Sequence, residues 1–193
     1  MSGLCAQPTT LRDVKVVGLT GRAGVGKDTL GKVLTQHHGY VRFAFADAMR
    51  SALLDLNPLV SNRRLRDVIA DQGWDRAKRE VPEVRRLLQV FGTEVVRNRD
   101  EGFWISAVER EILCMAPIPT RIVVTDVRFD NEAQWVLGLS HRNEVIQVRR
   151  TIPELGGGHS SESGIDPVLV THFVDNNGSK GDLMRAGAEI ASR

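Results

Sequence analysis

Apolar residues along this chain follow two patterns, short unbroken runs and longer stretches in which they recur every three or four positions. The unbroken runs are Val14 to Leu19, Val41 to Phe45, Ile122 to Thr125, Val145 to Val148 and His172 to Asp175. Each is apolar or β-branched with little alternation, as strands covered on both faces require. Helical patterns lie between them, and this order predicts a five-stranded parallel sheet flanked by helices, an α/β fold.

The helical pattern is clearest after the first run, where Leu30, Val33 and Leu34 share one face before His38-Gly39 closes the helix. More than seventy residues separate the second and third runs. Pro82 opens a helix there, and Val84, Leu87, Leu88, Phe91 and Val95 fall on one stripe. Arg66 to Trp74 and Trp104 to Met115 are further helical segments. The spacing predicts a helical subdomain, residues 46–118, inserted after the second strand and covering a crevice at the carboxyl ends of the strands. A second excursion, residues 149–166, carries Gly156, Gly157 and Gly158 and is a candidate mobile lid; an ordinary surface connection fits the same composition.

The first strand runs straight into Gly21-Arg22-Ala23-Gly24-Val25-Gly26-Lys27-Asp28-Thr29. The spacing GxxxxGK is that of a loop gripping nucleoside triphosphate: glycines let backbone N–H groups turn toward phosphate oxygens, and Lys27 reaches the β and γ phosphates. The N-terminus of the following helix adds unpaired N–H groups and roughly half a positive charge. Asp28 stands where a serine or threonine ordinarily holds Mg²⁺. A carboxylate there serves the metal directly or through a bound water, or else complements the helix dipole. Thr29 supplies a hydroxyl to a phosphate. The fit of loop, strand and helix makes a nucleoside triphosphate the expected ligand.

Composition narrows the remaining classes. With 193 residues and 41% hydrophobic content, the chain carries enough apolar material for one cored domain. A formal charge of +2 and no run of five basic residues argue against a nucleic-acid polymer as partner. Arginine makes up 21 of the 26 basic residues, a global excess that base composition of the gene explains as well as phosphate binding does. Cys5 and Cys114 have no metal-ligand or redox spacing, so a reducing compartment and no disulfide are expected. Neither a signal segment nor an 18-residue apolar stretch is present. Cytoplasmic location without membrane insertion is the expectation, with residues Met1 to Thr10 as a loose tail.

Further candidates sit where strands end. Asp126, in Thr125-Asp126-Val127-Arg128, is placed to orient magnesium waters, and Arg128 to hold an acceptor phosphate; a turn or cap role is the alternative for Asp126. Arg149 and Arg150 follow the fourth strand, as charge-neutralising lid arginines or as a solvated pair. Asp47, Arg50 and Arg97 are candidates for a second nucleotide's phosphate and sugar. Trp104 or Phe91 offers a ring for a base, against the alternative that both are core. His159, Ser160, Ser161 and Glu162 form a polar cluster, but adjacent loop residues do not assemble a nucleophile, a base and an orienting group.

Taken together, GRAGVGKDT, FADAMR from Phe45, LLQVFGTEVVR from Leu87, TDVRFDNEA from Thr125 and HSSE from His159 resemble the deoxynucleoside monophosphate kinases of bacteriophages, in order and over nearly the whole chain. The resemblance implies an adenylate-kinase-like P-loop fold that moves the γ-phosphate of ATP to a deoxynucleoside monophosphate, with Mg²⁺, in a host cytoplasm if the source is viral. It implies that Gly21 to Thr29 bind the ATP phosphates and that Asp28 and Asp126 serve the metal. Asp126 and Arg128 match the acceptor motif, Arg97 an acceptor-phosphate contact, and Arg149 or Arg150 the lid. Asn176-Asn177-Gly178 matches the segment passing the adenine, with Asn177 as the contact. Val25 departs from the small or hydroxyl residue more common in this loop. A homodimer is compatible with the resemblance, although no stripe marks an interface. Dephospho-coenzyme A kinase, sharing fold and strand-end layout, and a non-catalytic nucleotide-binding module are the competing readings.

Overall fold

The computed structural model describes residues 10–151 and 164–193. The amino-terminal residues with Cys5, most of the 149–166 segment, and the cluster His159, Ser160, Ser161 and Glu162 lie outside the described residues.

The described residues form two compact units, residues 10–44 with 108–151 and 164–193, and residues 45–107. The first is built on a five-stranded sheet: β1 (Lys15–Thr20), β2 (Val41–Phe43), β5 (Arg121–Val124), β6 (Glu144–Arg149) and β7 (His172–Asp175). All pairings are parallel and the order is β2-β5-β1-β6-β7. The chain leaves β1 toward β2 and β5 first and toward β6 and β7 later, so the carboxyl end of β1 opens at the point where the direction of winding reverses, the usual place for a ligand in such sheets.

Both faces are covered, which explains the unbroken apolar runs. On one face α1 (Lys27–His37) and α7 (Lys180–Ser192) pack Leu30, Leu34, Leu183 and Ile190 onto Val17, Leu19, Val123, Ile146 and Val148. On the other, α6 (Asp130–Leu139) brings Val136, with Val127, against Gly18. At the amino ends of the strands, buried Lys15 donates from Nζ to Ile190 O at 3.0 Å and lies 3.6 Å from the Glu144 carboxylate, which Arg193 also reaches at 3.1 Å. Burial holds the Lys15 ammonium below its ordinary pKa against the pull of Glu144. This polar cluster ties α7 to the end of the sheet opposite the phosphate loop.

The strand expected over Val41 to Phe45 is shorter. Phe43 pairs with Val124, Phe43 O accepts from Thr125 N at 3.1 Å, and there β5 offers no further partner; the chain turns into α2 (Phe45–Leu56).

The second unit contains α2, a hairpin of β3 (Leu59–Val60) and β4 (Arg63–Arg64), α3 (Leu65–Glu80, broken at Gly73), α4 (Pro82–Gln89) and a π-helical stretch, Val90–Arg97. Leu53, Val60, Leu65, Val68, Ala77, Val84 and Leu88 form its core. The hairpin is not signalled by the sequence pattern: each strand has two residues, and Ser61 and Asn62 both take positive φ, 48° and 64°, the backbone of a type I′ turn without its usual glycine. Glu83 caps the turn, accepting from Ser61 N and, at 2.9 Å, from Ser61 Oγ.

The expected stripe from Val84 to Val95 holds only as far as Phe91. In the π stretch the repeat lengthens, so Val95 turns out to solvent at 46% exposure while Gly92 and Arg97, five apart, turn inward. Helix α5 (Phe103–Leu113) starts in this unit and ends in the sheet unit, where Glu109 Oε1 accepts from Trp135 Nε1 at 2.7 Å.

Candidate active site

The phosphate loop is shaped by what its glycines approach. Gly21 has φ 133°, and a Cβ there would strike the Val148 carbonyl oxygen; Gly26 has φ 104°, and a Cβ there would strike the Asn176 side-chain amide. Neither position accepts another residue without moving backbone. Val25 is 3% exposed and belongs to the sheet core. That burial accounts for an apolar residue where small or hydroxyl ones are commoner: the side chain anchors the loop in the core. Arg22, Ala23, Gly24, Asp28 and Thr29 are exposed.

Helix α1 begins at Lys27, with Leu30 N donating to Gly26 O at 3.0 Å. The Lys27 ammonium folds back over the loop, donating to Gly21 O at 2.6 Å and Arg22 O at 2.8 Å. Its pKa is lowered, first by burial and then by the Arg128 guanidinium, while Asp28 and Asp126 pull it back up. One point in the sheet unit thus feels two cations and two carboxylates, the four charged residues singled out around the loop and the end of β5.

The Asp126 segment is held by its neighbours on both sides. Val127 N donates to Leu19 O at 3.1 Å and its side chain is buried, so Asp126 stands half-buried just past the carboxyl end of β5 with exposed Arg128 two residues on. Glu132, 3% exposed, accepts from Arg128 N at 2.8 Å and Phe129 N at 3.2 Å through Oε2. A buried carboxylate doing this fixes the Arg128 backbone and caps α6 at once. Asp130 Oδ1 accepts from Asp166 N at 2.8 Å. Glu132 was legible in the sequence only as part of a turn into a helix, because Phe129 at the N-cap lacks the side-chain acceptor that completes a capping signal.

Two divalent-cation candidates fit the chemistry in part. Asp28 and Asp126 are hard oxygen ligands sharing the electrostatic neighbourhood of Lys27, and among the described residues no cluster of three or more His, Cys, Asp or Glu forms a closed metal cage. Mg²⁺ suits that arrangement, because it keeps several waters and takes further oxygens from substrate phosphates.

Arg149 and Arg150 behave differently. The Arg149 guanidinium lies over the Phe173 ring at 3.5 Å and its Nε donates to Gln147 Oε1 at 3.2 Å, while Arg150 is exposed. Neither is among the charges that shift Lys27. Asn177 Oδ1 accepts from Thr151 N at 2.7 Å. The residue touching the loop is Asn176, whose Nδ2 donates to Val25 O at 2.8 Å.

In the helical unit, Asp47 and Arg50 form an ion pair at 3.2 Å, and Arg50 lies 5.6 Å from the Trp74 ring centre. Arg97 is 8% exposed and donates to Glu101 O at 3.4 Å. Trp104, proposed from the sequence as a stacking surface, is corrected to a core residue: it is 4% exposed, its indole N–H is committed to Gly92 O at 3.0 Å, and Phe91 and Phe103 pack on it.

Comparison with known proteins completes the picture. The family profile described as "Deoxynucleotide monophosphate kinase" matches residues 64–186. The "Deoxynucleoside-5'-monophosphate kinase" of Escherichia phage T5 is 32% identical over 98 residues, covering 48% of this chain and 38% of its own length. A protein of Acanthamoeba polyphaga mimivirus named in the same family is 25% identical over 139 residues, 63% of this chain and 67% of its own. The chain therefore spans well under half the length of the phage T5 protein. The crystal structure of TT1252 from Thermus thermophilus covers 93% of this chain and 97% of its own, at 19% identity and a TM-score of 0.46. No helix among the described residues is long and apolar enough to cross a membrane. The profile starts beyond the phosphate loop, so loop and profile are separate observations. Matched over well over half of its length, through the segments that carry Arg97, Asp126 and Arg128, the chain belongs to the deoxynucleotide monophosphate kinase family.

Proposed function

We propose that this protein transfers the γ-phosphate of ATP to a deoxynucleoside 5'-monophosphate, giving the diphosphate and ADP. The observation carrying this reading is the gathering of Lys27, Asp28, Asp126 and Arg128 around one loop at the carboxyl end of β1. An oxygen of the acceptor monophosphate attacks the γ-phosphorus in line, the bond from that phosphorus to the bridging oxygen of ADP breaks, and no protein nucleophile intervenes. The protein's work is positioning and charge stabilisation.

In that reading, the backbone N–H groups of residues 21–29 cradle the donor phosphates and Lys27 exchanges the Gly21 and Arg22 carbonyls for phosphate oxygens. Arg128 holds the acceptor phosphate. Asp28 and Asp126 would hold Mg²⁺, directly or through water, which when bound neutralises charge on the phosphate oxygens. Arg149 and Arg150 are candidates for charge neutralisation from the segment after β6, and Asp47, Arg50 and Arg97 stand as further candidate acceptor residues. The sensitivity of Lys27 to Arg128 supports placing donor and acceptor charge near each other, since adjacent cations are tolerated where anions are to be held.

The test is a product assay with ATP, Mg²⁺ and each of the four natural deoxynucleoside monophosphates, modified pyrimidine monophosphates and dephospho-coenzyme A. Formation of a deoxynucleoside diphosphate in step with ADP is the expected result. ADP formation with dephospho-coenzyme A alone, or ATP binding with no transfer to any acceptor, overturns it.

A further inference from the structure

The phosphate loop is fastened from behind by a residue outside the loop motif. Asn176 follows β7 directly, and its backbone N–H donates to Arg149 O at 2.7 Å, continuing the register of the sheet edge. That bond sets where its side chain starts, and from there Nδ2 donates to Val25 O at 2.8 Å. The next residue secures the same corner, with Asn177 Oδ1 accepting from Thr151 N at 2.7 Å. On the loop side the fit is close: Gly26 backs onto the Asn176 amide with no room for a Cβ, and the Val25 side chain is locked in the core.

We infer that Asn176 is a positioning residue for the phosphate loop, which holds the Val25 carbonyl and so aims the Gly26 N–H at a bound phosphate oxygen. The reason lies in the peptide plane. The C=O of Val25 and the N–H of Gly26 belong to one rigid trans unit and point in opposite directions, so fixing one fixes the other. A glycine on the far side of that unit tolerates many φ values, and the plane turns easily unless something holds it. Asn176 grips the outward oxygen and leaves the inward N–H facing the hollow of the loop. A neutral amide is the right group for this. It donates to a carbonyl without bringing negative charge behind a site for anions, whereas a carboxylate at 176 would oppose both the Val25 oxygen and the phosphates. The inference rests on the reading of this loop as the donor site, and it adds a residue whose effect is exerted through backbone.

The experiment measures wild type, Asn176→Ala and Asn176→Asp. Isothermal titration calorimetry reads the affinity for inorganic tripolyphosphate, ADP and ATP, thermal melting reads integrity, and steady-state kinetics reads KM for ATP and for the acceptor separately. With Asn176→Ala, affinity for tripolyphosphate and ATP is expected to fall about tenfold, the scale of one lost hydrogen bond at a charged ligand. KM for ATP rises with it while KM for the acceptor stays within about twofold, and the melting temperature changes by no more than a few degrees. Asn176→Asp weakens tripolyphosphate further. The inference is overturned if both variants bind tripolyphosphate as tightly as wild type, if KM for the acceptor rises as much as KM for ATP, or if neither variant folds, since the residue would then be a general support. A wild type that binds tripolyphosphate, loses this in Asn176→Ala, yet phosphorylates no acceptor defeats the kinase reading and leaves the positioning role standing. An active Asn176→Ala enzyme with unaltered phosphate affinity does the reverse.

Discussion

The candidate charges at the strand ends of the sheet unit and Arg97 of the helical unit are held in opposite ways. At the strand ends of the sheet unit, Lys27, Asp28, Asp126 and Arg128 project from a scaffold already complete without them: Val17, Leu19, Leu30, Val123 and Val127 do the packing. In the helical unit Arg97 is itself part of the packing at 8% exposure, and Trp104 spends its indole N–H on Gly92 O. A group added to a finished scaffold can be removed at the cost of function alone. A group built into the scaffold takes stability with it when it goes.

Lys27→Ala tests the first half of that contrast and carries the largest expected effect. Turnover should fall by at least about a hundredfold, because the ammonium acts most strongly on the transition state. The melting temperature should stay within a few degrees of wild type, since the lost bonds are to two carbonyls of a loop outside the core, one part-buried and one exposed. Steady-state kinetics beside thermal melting decides it; near wild-type turnover, or an unfolded variant, breaks the comparison.

Arg97→Ala tests the second half. It removes a buried guanidinium and its aliphatic stem, and a stability loss of about 2 kcal/mol is expected together with any loss of activity. Urea denaturation measures it, and an unchanged midpoint would put Arg97 in the same class as Lys27. Trp104→Phe sharpens the point with a smaller change: the Gly92 carbonyl loses its donor, costing about 1 kcal/mol, while KM for ATP stays as it was. A KM for the acceptor that rises with no stability loss would restore the stacking role.

The smallest effect is on pH. Burial and Arg128 lower the Lys27 pKa, so the free enzyme loses this charge at lower pH than an ordinary lysine would. Bound phosphate favours the charged form and moves the loss upward. The alkaline fall of kcat/KM for ATP, which reports the free enzyme, should therefore begin at lower pH than the fall of kcat. Lys27→Arg should abolish that limb because a guanidinium keeps its proton. Coincident limbs in the two profiles would show that Lys27 is not the titrating group.

How much was legible differs along the chain for the same reason. Where backbone geometry is regular, side-chain spacing maps onto faces: the runs at 14–19, 122–125, 145–148 and 172–175 became the strands at 15–20, 121–124, 144–149 and 172–175, and Leu30, Val33 and Leu34 became the buried face of α1. Where the helical repeat changes, the map fails. The stripe drawn through Val95 assumed 3.6 residues per turn, and the π stretch exchanged Val95 for Arg97 at the buried position. The β3–β4 hairpin was invisible because two-residue strands carry no period, and its turn uses Ser61 and Asn62 in place of glycine.

The sequence by itself determined the glycine-rich bend after β1, the parallel α/β sheet and the turn from β5 toward α6, because each is encoded by neighbours a few residues apart whose sterics and burial act locally. Only the tertiary structure decided that Asn176 grips the loop, that Glu132 fixes the Arg128 backbone, that Arg149 rests on Phe173, and that Trp104 belongs to the core. Three of these turn on which atom of one segment meets another distant in the chain, and the fourth, Glu132, on where a nearby side chain points once its helix is capped and buried. A hydrogen bond spanning 151 residues, as between Asn176 and Val25, exists only once the sheet has set β7 beside β6 and β6 beside β1.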